Sequence, residues 1–138
     1  MAIRSKHRII IDTNLWISFL LTNDYSKFDA LLSGKNIVLL FSQALIDEFV
    51  EVAQRPKFKK YFSLDDLEDL LTKVRTKAEF ITVTSNVKIC RDHKDNFLLA
   101  LAQDGKATHL ITGDTDLLVV QKIGKCKIVT IAEYLSKK

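Results

Sequence analysis

Arg8-Ile9-Ile10-Ile11-Asp12-Thr13-Asn14 is the stretch on which the fold turns. A short unbroken β-branched run reads as a strand buried on both faces. Nothing apolar explains why it stops on a carboxylate followed by two small polar residues. In open α/β sheets, ligands sit at the carboxyl ends of strands. Asp12 is therefore the first candidate for chemistry.

The rest of the chain alternates in kind. Strands are expected at Arg8–Asp12, Asn36–Phe41, Glu79–Val83, Thr108–Thr112 and Lys127–Thr130. Helices are expected at Leu15–Leu21, Ser26–Ser33, Ser42–Gln54, Leu64–Lys77, Asp95–Asp104, Thr115–Gln121 and Ile131–Lys137. Strands alternating with helices imply parallel pairing through helical crossovers. The expected fold class is α/β, a three-layer α/β/α sandwich around a central, mostly parallel sheet. Phe97–Ala102 is apolar all round, which marks a central buried helix.

At 138 residues the expectation is a single domain spanning residues 1–138, with a helical arm at about 55–78. A hydrophobic content of 47% and a mean hydropathy of +0.05 exclude a disordered chain. Cys90 and Cys126 are too far apart in sequence to form a zinc motif and read as small core residues. No apolar run approaches the ~20 residues of a membrane span, so a soluble cytoplasmic protein is expected. The net charge of +4 and the pI near 9.1 favour a polyanionic partner, and equally serve solubility.

Three further stretches carry acids in telling places. On a helical wheel of Ser42–Gln54, Leu45, Ile46, Phe49, Val50, Val52 and Ala53 form the apolar face, and Asp47 and Glu51 lie opposite. Glu48 falls at the edge of the apolar face, where a carboxylate is costly unless paired. Asp95 opens the buried helix, with Asp92 three residues before it; Asp92 reads as a cap, and Asp95 suits a cap or a metal ligand. Asp114 and Asp116 follow the strand ending at Thr112, in the positions of an N-cap and a first-turn acid. Gly113 permits a tight turn there.

Asp12, Glu48, Asp95, Asp114 and Asp116 all lie just past a strand's carboxyl end or in the helix that follows. In a parallel sheet those ends share one edge. Clustered carboxylates raise one another's pKa, and a divalent cation relieves the repulsion. An all-oxygen set suits Mg²⁺ or Mn²⁺ over zinc. Such ions lower the pKa of water and stabilise charge on a phosphoryl oxygen, which points to hydrolysis of a nucleic-acid backbone. Arg55, Lys57, Lys59 and Lys60, interleaved with Phe58 and Tyr61, form a candidate RNA contact, or else a solvated connector whose aromatics dock on the core. His7, His93 and His109 are scattered, with only His93 near the acids.

Taken together, these residues resemble the PIN domain family from Arg8 to about Leu135. The resemblance rests on Ile11-Asp12-Thr13-Asn14, on Glu48, on Asp95-x-x-Leu98-x-Ala100 and on Thr112-Gly113-Asp114-x-Asp116-Leu117-Leu118. The Arg91-Asp92-x-x-Asp95-Asn96 wording is similar to prokaryotic toxin components of toxin–antitoxin pairs. The resemblance implies a Mg²⁺- or Mn²⁺-dependent endoribonuclease acting on single-stranded RNA. Asp12, Glu48, Asp95 and Asp114 would hold the ions, Asp116 would be an additional ligand, and Thr13, Asn14 and Thr112 would support them. It also implies products with a 5′-phosphate and a 3′-hydroxyl, a homodimer or higher homo-oligomer, and a small protein antitoxin.

Two other readings compete. A phosphatase with an aspartyl nucleophile needs a second acid two residues after the first, where this chain has Asn14. A non-catalytic RNA-binding or protein-interaction module on the same fold is compatible with the charge, because fold alone does not choose function.

Overall fold

The computed structural model describes residues 7–22, 26–33, 36–61 and 63–136. Strand β1 (His7–Ile11) leads into helices α1 (Thr13–Thr22) and α2 (Ser26–Leu32), then β2 (Ile37–Phe41). Helices α3 (Gln43–Ala53), α4 (Pro56–Lys59) and α5 (Leu64–Val74) precede β3 (Ala78–Phe80). After an extended connection come α6 (Asn96–Asp104), β4 (His109–Ile111), α7 (Thr115–Leu118), β5 (Lys122–Ile123), β6 (Cys126–Val129) and α8 (Ile131–Ser136).

The sheet order is β3-β2-β1-β4-β6-β5. All neighbours are parallel except the β5–β6 pair. The isoleucine run lies in this sheet with strands on both sides, and Ile9, Ile10 and Ile11 are at most 1% exposed. From β1 the chain winds outward through β2 and β3, then returns to the other side of β1 as β4. The order therefore reverses between β1 and β4, which opens the crevice where α/β folds bind ligands.

Helix α6 is buried over Leu98–Ala102, as its all-round apolar sequence requires. Its C-terminal residue Gly105 touches the sheet so closely that a Cβ there would meet Leu40 Cδ1 at 2.8 Å. Helix α5 sinks Leu67, Leu70 and Val74 into the same core and turns its acids outward, with a capping box at Ser63 and Asp66.

Beyond shifted helix ends, such as α5 stopping at Val74 where Lys77 was expected, the observed elements differ from the expected ones as follows. β3 is shorter, because β2 leaves the sheet at Ser42; after the Ile81 N–H to Phe41 C=O bond, the strand has no ladder partner. α4 is a separate short helix in the stretch expected as a helical arm or a connector, because Pro56 presets the first helical φ and Arg55 before it is extended. α7 stops at Leu118, since Gln121 takes a φ of 68° and turns the chain into β5. β6 falls where a strand was expected at Lys127–Thr130, but β5, joined to it by a turn at Gly124 with a φ of 57°, is an element the periodicity did not disclose. The expected end of α8 at Lys137 lies outside the described residues.

Candidate active site

The register of the sheet builds the first contact. Ile11 pairs with Ile111, so Asp12 stands beside Thr112. The backbone ladder runs one step further, from the Asp12 N–H to the Ile111 C=O. The Thr112 hydroxyl then donates to Asp12 Oδ2 at 2.6 Å, and both residues are buried. Asp12 also starts α1: its carbonyl accepts from Leu15 and Trp16 N–H, and Oδ1 accepts a longer bond from the Asn14 N–H at 3.3 Å. Burial raises the Asp12 pKa, and the Thr112 hydroxyl pulls it part of the way back.

Glu48 reaches the same edge from α3. The Ser42 side chain caps that helix through the Leu45 N–H, which sets the helix phase. Leu45, Phe49, Val52 and Ala53 face the core, and Glu48 lies half-buried at the boundary. The Thr13 hydroxyl donates to Glu48 Oε2 at 3.0 Å, which ties the start of α1 to α3. Burial raises the Glu48 pKa, and the nearby Asp12 charge adds to it.

Asp95 and Asp114 form the other side. Asp95 occupies the N-cap position of α6 but makes no capping bond with its side chain. Its Oδ2 is buried without a hydrogen-bond partner. Burial, together with the Asp114 carboxyl within hydrogen-bonding reach and the Asp12 charge, pushes the Asp95 pKa up to about 8. Capping in this segment falls to Asp92, whose Oδ1 accepts from the Lys94 N–H. Asp114 caps α7 by accepting from the Asp116 N–H, while its own N–H donates to the Thr112 hydroxyl. Thr112 thus bridges Asp12 and the Asp114 backbone.

Asp116 is joined to Asp114 through its backbone N–H. Its carboxylate pairs with the Arg91 guanidinium at 2.8 Å. Asn14 is exposed and contributes its backbone N–H to Asp12. Of the basic stretch, Arg55 pairs with Glu51, Lys57 sits over Phe58 and Lys60 over Tyr61. Phe58 packs against the core, whereas Tyr61 is 61% exposed. His7 and His109 lie at the opposite edge, where they meet Tyr134. The His93 side chain lies outside the described ones.

The donors are all oxygens, and one of them is a buried carboxylate oxygen with no partner, which an ion would satisfy. In both respects the residues suit a hard divalent cation. They stand as linked pairs, however: among the described residues no three His, Cys, Asp or Glu side chains close into a group that could hold a metal ion. Among the same residues no helix is long and apolar enough to cross a membrane.

Residues 8–116 match the family model of the PIN domain. Uncharacterized protein MJ1680 of Methanocaldococcus jannaschii is 30% identical over 123 residues, which cover 87% of this chain and 79% of that protein. The chain belongs to the PIN domain family, whose members are generally nucleases and typically use divalent metal ions.

Proposed function

We propose that the protein is a Mg²⁺- or Mn²⁺-dependent endoribonuclease that hydrolyses phosphodiester bonds of single-stranded RNA. The observation that carries this reading is the unpartnered buried Oδ2 of Asp95, beside Asp114 and within the field of Asp12. An oxygen so placed is costly to the fold and useful to a cation.

Asp12, Glu48, Asp95 and Asp114 are the residues that would hold the metal. A bound ion would supply a lowered pKa for water and a counter-charge for the phosphoryl oxygens. The chain's own contributions are positional. Thr112 and Thr13 each fix one carboxylate oxygen, of Asp12 and Glu48 respectively, and leave the other available. Burial and the neighbouring Asp114 and Asp12 carboxyls raise the Asp95 pKa, and a bound cation would relieve that repulsion. The burial of Asp12 and Thr112 lowers the local dielectric, which strengthens every charge interaction there. Lys60 over the exposed Tyr61, with Lys57 on the neighbouring Phe58, suits a single strand, whose phosphates need cations and whose bases need a stacking surface. A toxin role, with neutralisation by a small protein, rests on the motif resemblance alone; growth arrest on expression tests it.

The decisive experiment incubates wild type and Asp12→Asn with single-stranded and structured RNA in EDTA, Mg²⁺ or Mn²⁺. The expected result is cleavage of single strands only with metal, lost in a variant that keeps its fold by circular dichroism. Equal cleavage by the variant overturns the site. Salt-sensitive RNA binding without cleavage in either metal replaces the enzyme with a binding module.

A further inference from the structure

Arg91 has no part in the reading above, yet it forms an ion pair beside the acid pocket. Its Nη2 lies 2.8 Å from Asp116 Oδ1, with Arg91 63% and Asp116 36% exposed at the side chain. Asp116 in turn donates its N–H to Asp114 Oδ1 at 2.9 Å, so the guanidinium stands one residue from the proposed metal-holding acids.

The base of this arginine is fixed. Cys90, immediately before it, is 3% exposed. The Cys90 N–H donates to Asn96 Oδ1, the residue after Asp95, and its Sγ lies 3.5 Å from the Asp116 carbonyl. The segment is therefore tied to α6 and α7, whose N-caps are Asp95 and Asp114. The Arg91 side chain itself projects into water.

An ion pair this open to water adds little to stability. Its chemistry suits exchange of partners: a guanidinium presents five donors in a planar fork that fits carboxylate and phosphate alike. An RNA backbone approaching four carboxylates meets repulsion, and a cation at the rim offsets it. We propose that Arg91 is the phosphate-binding side chain of this site, held on Asp116 until a backbone phosphate replaces that carboxylate. The inference rests on the reading of the protein as an RNA-cleaving enzyme, and the experiment separates the two.

The variants are Arg91→Gln, Arg91→Lys and Asp116→Asn, with Lys94→Gln as a control that removes the same charge from the same exposed segment. Steady-state cleavage of a fluorescent single-stranded RNA gives KM and kcat. Anisotropy in EDTA gives RNA affinity and its salt slope. Arg91→Gln is expected to raise KM and Kd about tenfold, to change kcat much less, and to lower the salt slope by about one. Arg91→Lys should recover part of the loss. Asp116→Asn should bind RNA in EDTA at least as tightly as wild type, because it frees Arg91. A bridge that only braces the structure would make Asp116→Asn and Arg91→Gln lose affinity alike, and that result overturns the proposal. So does an Arg91→Gln effect no larger than that of Lys94→Gln. Wild type that binds RNA but never cleaves it removes the enzyme reading and leaves Arg91 to the binding arm; wild type that does not bind RNA removes both.

Discussion

The Thr112 hydroxyl holds Asp12 Oδ2 at 2.6 Å across the junction of β1 and β4, with both side chains out of water. The same hydroxyl accepts the Asp114 N–H, so one side chain aligns acids from two strand ends. Thr112→Val keeps the shape and removes both bonds. The expected cost is about 1.5–3 kcal/mol of stability for the charge-assisted bond. Metal affinity and activity should fall about 10- to 100-fold, as for other residues that orient ligands. Urea unfolding and metal titration by calorimetry check the two effects separately.

Asp95 makes stability depend on pH in the direction opposite to most carboxylates. Its pKa rises from 3.8 unfolded to about 8 folded, so between those values the folded chain holds a proton that the unfolded chain has lost. Stability from this group is full below about pH 4 and is lost as pH rises through about 8. Asp95→Asn removes the dependence. In EDTA, the Tm of Asp95→Asn minus that of wild type should grow from pH 5 to pH 8.5. Mg²⁺ or Mn²⁺ should stabilise wild type and do so less in the variant. A Tm difference that stays flat with pH refutes the assignment.

His109 works the other way on the acid side. Burial, with His7 and Lys127 alongside, lowers its pKa from 6.5 to about 4. The unfolded chain takes up a proton that the folded one refuses. The stability it contributes is present above about pH 6.5 and is lost as pH falls through about 4. His109→Gln should flatten the stability profile between pH 4 and 6.5 without changing RNA cleavage at pH 7.5. Thermal melts across that range give the answer.

Tyr61 and Phe58 should separate binding from folding. Tyr61 is 61% exposed beneath the Lys60 ammonium, whereas Phe58 packs against the core. Tyr61→Ala is expected to weaken binding of single-stranded RNA by about 1–3 kcal/mol, the usual cost of one lost base stack. Its Tm should stay at the wild-type value. Phe58→Ala should lower Tm. An unchanged affinity for Tyr61→Ala would remove α4 from the RNA path.

Much of this arrangement was legible because it rests on local rules. The Ile9–Ile11 run could only be a strand covered on both faces, and the unbroken apolar surface of Leu98–Ala102 could only be an inner helix. The position of Glu48 at the edge of a helical wheel placed it correctly at the core boundary. Capping was harder to apportion. Asp12 takes more of that work than its strand-end position implied, through the Asn14 N–H, and Asp95 takes none with its side chain. Whether a carboxylate caps depends on its rotamer and on competing partners, and neither is written in spacing. The Arg91–Asp116 pair was hidden for a related reason: it joins residues 25 positions apart, brought together only by the packing of α6 beside β4. β5 escaped because two-residue strands carry no period.

The reversal of strand order at β1 has a consequence for synthesis. Asp12 and Glu48 leave the ribosome early, but Thr112 and Asp114 come about a hundred residues after Asp12. Contacts so distant in sequence form late and together. A chain halted before β4 carries Asp12, Glu48 and Asp95, but neither the hydroxyl that holds Asp12 nor the Asp114 carboxyl beside Asp95. The pocket is thus all-or-none. Unfinished or clipped chains lack the assembled pocket, which arises only in the completed fold.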